Sequence, residues 1–208
     1  MMPRITTVTL VGVLVASTVA SAADNPMQRT EELVKQFKAV NVLPEDGSAL
    51  SDAVKKENAA TFSKLDAYFA WDRLTRDTIK PHKSKFSAKQ TTAFLDTFRE
   101  LIRLVAYPGG GDFFDEATYK LKMGKTSGKN SAVEMFAELE SEDIETTVTF
   151  HWTRVDGALK IYDVGFDGAS LVRDYRNQFG RLISKHGVDG LIERLGKKLA
   201  KERKAGVI

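Results

Sequence analysis

The 208-residue sequence contains no cysteine, and this absence excludes several kinds of chemistry. A chain without thiols forms no disulfide, has no thiolate nucleophile and holds no zinc through sulfur. It also cannot carry a lipid anchor on an N-terminal cysteine. A chain of this length can still bury an apolar core large enough to fold without disulfides.

Histidine is scarce, and no catalytic motif is recognisable. The three histidines, His82, His151 and His186, have no HxH or HxxxH spacing for a metal, and GxSxG is absent. The run Gly109–Asp112 has the glycines of a phosphate loop but lacks the GK[ST] ending, so we interpret it as a flexible connection. The acidic residues between 138 and 143 are interpreted as a charged turn. The residues give no positive indication of an enzyme.

Long uncharged stretches are also missing, except at the N-terminus. Arg4 precedes an uncharged run from Ile5 to Val19, which closes on Ala20-Ser21-Ala22, a pattern that signal peptidase accepts. The alternative, an uncleaved membrane anchor, needs roughly 20 apolar residues and fewer hydroxyl groups. We therefore predict a cleaved signal peptide at residues 1–22 and a working chain, 23–208, outside the cytoplasm.

The first half of that chain has helical periodicity. Helix starts are predicted at Asn25-Pro26, at Ser48 or Ser51, and at Ser87, with one or two further helices between Thr61 and Ile79. The helix after Ser87 has a continuous apolar face that reaches Val105. We expect Pro108–Gly111 to end it.

The second half changes to an alternating pattern. Ile144–Thr153 predicts a strand with one apolar face, Asp156-Gly157 a hairpin turn, and Leu159–Phe166 the return strand. An earlier strand pair is expected within Phe114–Met123 and Val133–Leu139. Ser170 then begins a helix that Gly187 ends, and a last helix starts near Asp189 and is expected to fray into a basic tail. This order predicts a single α+β domain with an antiparallel sheet packed against helices.

Large apolar side chains are abundant on faces of this sheet and these helices that look toward each other. Phe150 and Trp152 share a strand face, and Tyr175 and Phe179 share a helix face. Such faces either pack into an ordinary core or stand apart around an apolar pocket. Periodicity fits both arrangements.

The last third of the chain carries a family resemblance. The segments Leu159–Val164, Asp167–Val172, Tyr175–Phe179 and Gly187–Ile192 resemble the signature of the MlaC family of periplasmic phospholipid carriers, which serve outer-membrane lipid asymmetry and are also called the toluene-tolerance family. Phe69–Leu74 and Ser87–Leu101 are similar to it more weakly. The sequence departs from the family pattern at Leu159, where members have Trp, at Lys80 and Lys83, and at Pro108–Phe114, which looks inserted.

The resemblance implies an NTF2-like cone with a helical part, a twisted antiparallel sheet and an enclosed apolar cavity for acyl tails. It implies a non-enzymatic carrier that shuttles glycerophospholipid between an outer-membrane lipoprotein–porin complex and an inner-membrane ABC transporter complex, contacting membranes transiently through these partners. No cofactor or metal is expected beside the lipid cargo, and no nucleic acid. The expected lipid contacts are Phe98, Leu101, Val105, Phe150, Trp152, Val164, Phe166, Val172, Tyr175 and Phe179.

Two other functions remain open at this point. A protein–protein adaptor with a closed cavity would fit the departures at Lys80, Lys83 and Pro108–Phe114, and a small-molecule enzyme would fit the same fold. The formal charge is only +3, which is unlike a nucleic-acid-binding surface. Basic residues concentrate from about residue 197, so we predict a basic C-terminal tail. That tail either meets anionic head groups or an acidic partner, or is a solvated helix end.

Overall fold

The computed structural model describes residues 25–46, 48–141 and 143–208, so the predicted signal peptide lies outside the described residues. The elements in chain order are helices α1 (Pro26–Phe37), α2 (Asp52–Asp66), α3 (Trp71–Ile79) and α4 (Ala88–Glu116), strands β1 (Thr118–Ser127), β2 (Asn130–Leu139), β3 (Ile144–Val155), β4 (Ala158–Phe166) and β5 (Ala169–Ser170), and helix α5 (Leu171–Ala205). A 3-10 helix, Lys80–Lys85, joins α3 to α4.

The predicted helix starts are confirmed by their capping hydrogen bonds. The Asn25 side chain accepts from the Met27 N–H at 2.9 Å, and Ser51 and Ser170 accept from backbone N–H groups in the same way. Ser87 forms a full capping box with Gln90 at the start of α4. These caps satisfy donors that the first helical turn leaves without partners.

The prediction that Pro108–Gly111 ends α4 is wrong, because the helix continues to Glu116. Pro108 removes one helical hydrogen bond, but burial of Tyr107 and Phe114 against Phe37 of α1 holds the next turns. A Cβ atom at Gly110 would lie 2.6 Å from the Phe37 ring. The glycines therefore permit the close approach of α1, and this segment is not a flexible connection.

The sheet is a five-stranded antiparallel meander in the order β1-β2-β3-β4-β5. Asp156 and Gly157 form the predicted turn, with φ of 49° and 81°. Asp167 and Gly168 form a second turn of the same kind, with φ of 48° and 80°, that was not predicted. The earlier strand pair is confirmed, but β1 begins at Thr118 because Phe114 belongs to α4.

Helix α5 is interrupted at Gly187, where φ is 69°, as predicted for a helix stop. The expectation of a frayed basic tail is wrong, because α5 continues to Ala205 and the chain after it remains packed. Val207 is buried, and its carbonyl accepts from Asn58 Nδ2 at 2.8 Å. Arg203 pairs with Glu100 of α4 at 2.6 Å. The lysines of the tail are therefore displayed by an ordered helix.

The buried apolar side chains form two clusters. The sheet cluster fills the space between α1, α2, the end of α4 and the sheet, and includes Phe62, Tyr107 and Trp152, all fully buried. The helix cluster lies between the first half of α4 and α5, and includes Phe94, Phe98 and Leu191. The predicted single α+β fold is confirmed. The space beneath the sheet is packed with side chains in this conformation.

Candidate functional site

The side chains predicted to contact lipid lie in three places. Phe98, Leu101, Tyr175 and Phe179 belong to the helix cluster, and Phe150, Trp152 and Val164 belong to the sheet cluster or pack against it. Val105, Phe166 and Val172 belong to neither cluster. The predicted set is therefore divided between the two clusters, with three of its residues outside both.

Aromatic rings in the helix cluster fix how α4 and α5 run past each other. The Phe98 ring contacts Phe179 and Tyr175 at 4.9 Å between centroids, and Phe94 contacts Phe179 at 5.4 Å. Later residues of α4 thus face earlier residues of α5, so the two helices are antiparallel here. Burial raises the pKa of the Tyr175 hydroxyl, which keeps this cluster uncharged.

The sheet cluster is closed by aromatic side chains around Tyr107. Tyr107 contacts Phe62 at 4.9 Å and Phe69 at 6.0 Å between ring centroids. The indole Nε1 atoms of Trp152 and Trp71 are buried without a hydrogen-bond partner among the described residues. The sheet cluster therefore contains two N–H donors that it does not itself satisfy. Each buried donor without an acceptor lowers the stability of the folded state by roughly 1–3 kcal/mol.

The two clusters adjoin along α4, where Leu101 belongs to the helix cluster and Leu104 to the sheet cluster. We call this boundary, together with Val164 of β4 and Val172 of α5, the seam. Because Tyr175 faces Phe98, the preceding turn of α5, with Val172, lies level with the turn of α4 that follows Phe98. The Asp163 carboxylate accepts from the Val172 N–H at 3.0 Å, which ties this end of α5 to β4 beside Val164. Val105 and Phe166 are 43% and 49% exposed. These two predicted lipid contacts therefore present apolar surface to the solvent.

Asp163 is a positioning residue that the sequence reasoning missed. Its carboxylate also accepts from the Ser170 hydroxyl at 2.5 Å. A carboxylate at a helix N-terminus is stabilised by the unpaired N–H groups and the helix dipole. The available signal was a carboxylate placed between the apolar residues of β4, shortly before the predicted cap Ser170.

A second missed group joins α2 to α4. The Asp66 carboxylate accepts from the Tyr107 hydroxyl at 2.8 Å and pairs with Arg103 at 2.9 Å and Arg99 at 3.4 Å. Burial, reinforced by the Asp66 charge, strongly raises the pKa of Tyr107, so its hydroxyl stays protonated and donates. The signal in the sequence was the spacing of Arg99, Arg103 and Tyr107, which places them on one face of α4.

Comparison with known proteins identifies the family. A family model described as MlaC protein matches residues 31–197. The chain belongs to the MlaC family. Among solved structures, the phospholipid-binding protein from Ralstonia solanacearum, in complex with a phospholipid, is similar with a TM-score of 0.63 and 17% identity, over 85% of this chain and 96% of that one. At this identity the likeness shows the fold. No curated protein sequence matches the chain.

MlaC proteins are lipid-binding carriers, not a family of enzymes, and this fits the chemistry of the seam. Its apolar side chains offer non-directional contacts to hydrocarbon. Within residues 25–46, 48–141 and 143–208, no group of three or more His, Asp or Glu side chains is arranged to hold a metal ion. No helix in the same residues has the length and apolar character required to cross a membrane.

Proposed function

We propose that this MlaC protein is a periplasmic carrier that binds a glycerophospholipid by its acyl chains at the seam and moves it between the outer and inner membranes. The observation that supports this most is the seam itself, where the helix cluster and the sheet cluster adjoin in a chain of this family. Acyl chains would enter between Val172 of α5 and Val164 of β4 as the clusters separate.

Hydrocarbon burial supplies the driving force. Each CH₂ group transferred from water gains about 0.8 kcal/mol, so two tails of roughly 15 carbons gain on the order of 20 kcal/mol before costs are subtracted. Separating the clusters exposes side chains that the tails then cover again. The buried Nε1 groups of Trp71 and Trp152 support the proposal further, because ester oxygens of a lipid would supply acceptors.

The remaining parts of the proposal concern location and partners. The predicted signal peptide at residues 1–22 would deliver the chain to the periplasm. There the carrier would exchange lipid with an inner-membrane ABC transporter complex and an outer-membrane lipoprotein–porin complex. It needs no catalytic group and no cofactor, since the bound phospholipid is its cargo.

The first experiment is native mass spectrometry of residues 23–208, secreted to a bacterial periplasm and purified without detergent. We expect an added mass of one phospholipid per chain, identified after solvent extraction. Labelled vesicles then test whether delipidated protein takes up lipid. A protein mass without lipid, together with no uptake, would overturn the proposal.

A second candidate function rests on the packed space beneath the sheet, where Trp152, Tyr107 and Phe62 are fully buried. A closed interior of this kind fits a protein–protein adaptor that never opens. The same uptake measurement separates the two functions, because an adaptor would remain without lipid at every vesicle concentration.

A further inference from the structure

An open cleft of about 730 Å³ lies between α5 and the 3-10 helix that precedes α4. Its lining consists of Pro81, His82, Arg176, Asn177, Gly180, Arg181, Ser184 and Lys185. Three of these side chains are permanently positive near neutral pH and none is acidic. The exposed side chains of Lys80, Lys83 and Lys85 extend the positive charge along the 3-10 helix.

The positive charges of this cleft have no ion-paired counter-charge in the part of the chain that the structure describes. Among the described residues, no ion pair joins Arg176, Arg181 or Lys185 to a carboxylate. Asp77, whose carbonyl accepts from Arg176, pairs its carboxylate with Arg73 at 3.7 Å. Like charges held together without counter-charges repel one another, and an anion in the cleft would relieve that repulsion.

Two features give the cleft a defined shape. Arg176 Nε donates to the Asp77 carbonyl at 2.9 Å, which orients the guanidinium group. Gly180 lets the 3-10 helix lie against α5, because a Cβ atom there would be 3.0 Å from His82 Nε2. The cleft thus combines an oriented guanidinium with a second arginine and a lysine, and such side chains recognise phosphate oxygens in proteins.

We propose that this cleft binds the phosphate groups of anionic phospholipids at a bilayer surface, so that the carrier docks directly on the membrane. The open shape and the lysine rim on a second element fit a surface that carries many phosphates, and anionic leaflets attract such clusters. The cleft is separate from the seam. It would dock on the bilayer whether or not the seam holds acyl chains.

The test is co-sedimentation of residues 23–208 with vesicles of phosphatidylcholine, with and without phosphatidylglycerol. We expect binding only to vesicles with phosphatidylglycerol, weakened by added salt because exposed charges are screened. The double variant Arg181→Gln with Lys185→Gln should lower the partition coefficient roughly thirty-fold, since two basic side chains near an anionic surface are lost.

The matched control is Lys198→Gln with Lys201→Gln, which removes the same charge from exposed positions near the end of α5. We expect it to retain most of the binding. Equal losses in both double variants, a larger loss in the control, or no binding by the unaltered protein would overturn the proposal.

Two further measurements distinguish free phosphate from membrane phosphate as the ligand, and binding at the cleft from binding at the seam. Titration with inorganic phosphate should shift the amide resonances of Gly180 and Ser184 in the unaltered protein but not in the cleft variant. Such shifts without vesicle binding would contradict membrane docking. Native mass spectrometry should find equal lipid occupancy in both variants. Absence of lipid in every sample would contradict the carrier function but not membrane docking. Docking at the cleft would still be tested by the co-sedimentation with vesicles.

Discussion

Val172 is the residue at which binding and packing are easiest to distinguish. It lies at the start of α5, is only 6% exposed, and belongs to neither buried cluster. Its side chain lies outside both clusters, and under the proposed function it would line the entry for an acyl chain. Val188, which follows the break at Gly187, is similarly buried but belongs to the helix cluster.

We predict that Val172→Trp strongly lowers lipid occupancy while costing less free energy of unfolding than Val188→Trp. Overfilling the packed helix cluster with an indole should cost about 1–3 kcal/mol, without obstructing the seam. Occupancy is measured by native mass spectrometry and stability by urea unfolding. Equal occupancy in the two variants would show that Val172 has no part in lipid entry.

Tyr107 allows a prediction about the stability contributed by the Asp66 network, which is the carboxylate of Asp66 with its partners Tyr107, Arg99 and Arg103. Tyr107→Phe removes the hydroxyl that donates to Asp66 and should lower the free energy of unfolding by about 1.5–3 kcal/mol, the usual contribution of a hydrogen bond to a charged group. Tyr175→Phe is the control, because no hydrogen bond of its hydroxyl is found within the described residues. We expect its unfolding midpoint in urea to change little.

The raised pKa of Tyr107 also predicts a dependence on pH. An unfolded tyrosine loses its proton near pH 10, whereas the folded Tyr107 keeps it to higher pH. The stabilisation is therefore fully present below about pH 10 and is lost as the pH rises above it. Tyr107→Phe should show a shallower loss of stability above pH 10 than the unaltered protein. Parallel curves would contradict the assignment.

At the scale of elements, the glycine run of α4 carries the sharpest prediction. Gly110→Ala places a Cβ atom 2.6 Å from the Phe37 ring, whereas a Cβ atom at Gly109 meets nothing within 4 Å. Gly110→Ala should destabilise by about 1–3 kcal/mol, and Gly109→Ala should stabilise by about 0.5–1 kcal/mol because alanine favours the helix. Thermal unfolding of both variants checks this. If Gly110→Ala instead raised the melting temperature, the Phe37 ring of α1 would have to shift away from the new methyl group at little cost.

The same element shows where sequence reasoning fails. Ser87 and Gln90 mark the start of α4 by local chemistry, which periodicity and spacing reveal. Its end depends on Phe37 of α1, which lies far away in sequence, so Pro108–Gly111 was interpreted from local propensity alone. The same holds for the end of α5, where Val207 is held by Asn58.

The site was predictable in part for a related reason. The facing of Phe98 toward Phe179 follows from amphipathic patterns on two helices. Alternation predicted that Phe150 and Trp152 share a face of β3. The division into two clusters depends on how helices and strands pack against one another, and the periodicity of a single helix or strand does not predict this packing. Val105 and Phe166 share the apolar character of the other residues, yet they lie exposed.

At the scale of the whole molecule, α4 is the element shared by both clusters. Its first half packs on α5 through Phe98 and Leu101, and its second half packs on α1 and the sheet cluster through Tyr107 and Phe114. The Asp66 network and the Arg203–Glu100 pair hold α4 from two sides. Under the proposed function, opening at the seam would move the first turns of α5 away from β4 and break the Asp163–Val172 hydrogen bond, while the Arg203–Glu100 pair keeps the end of α5 on α4.

This arrangement predicts a local effect of lipid on hydrogen exchange. Bound tails stabilise the folded chain, because a ligand that binds only the folded state shifts the unfolding equilibrium toward it, and they should do so mainly where the clusters meet. Amides in the first turns of α5, around Val172 and Tyr175, should exchange faster after delipidation. Amides of β2 around Val133 and Met135, paired on both sides in the sheet, should change little. Hydrogen exchange read by mass spectrometry compares the loaded and delipidated forms. Uniform acceleration throughout the chain would indicate global loosening, and it would contradict the opening at the seam.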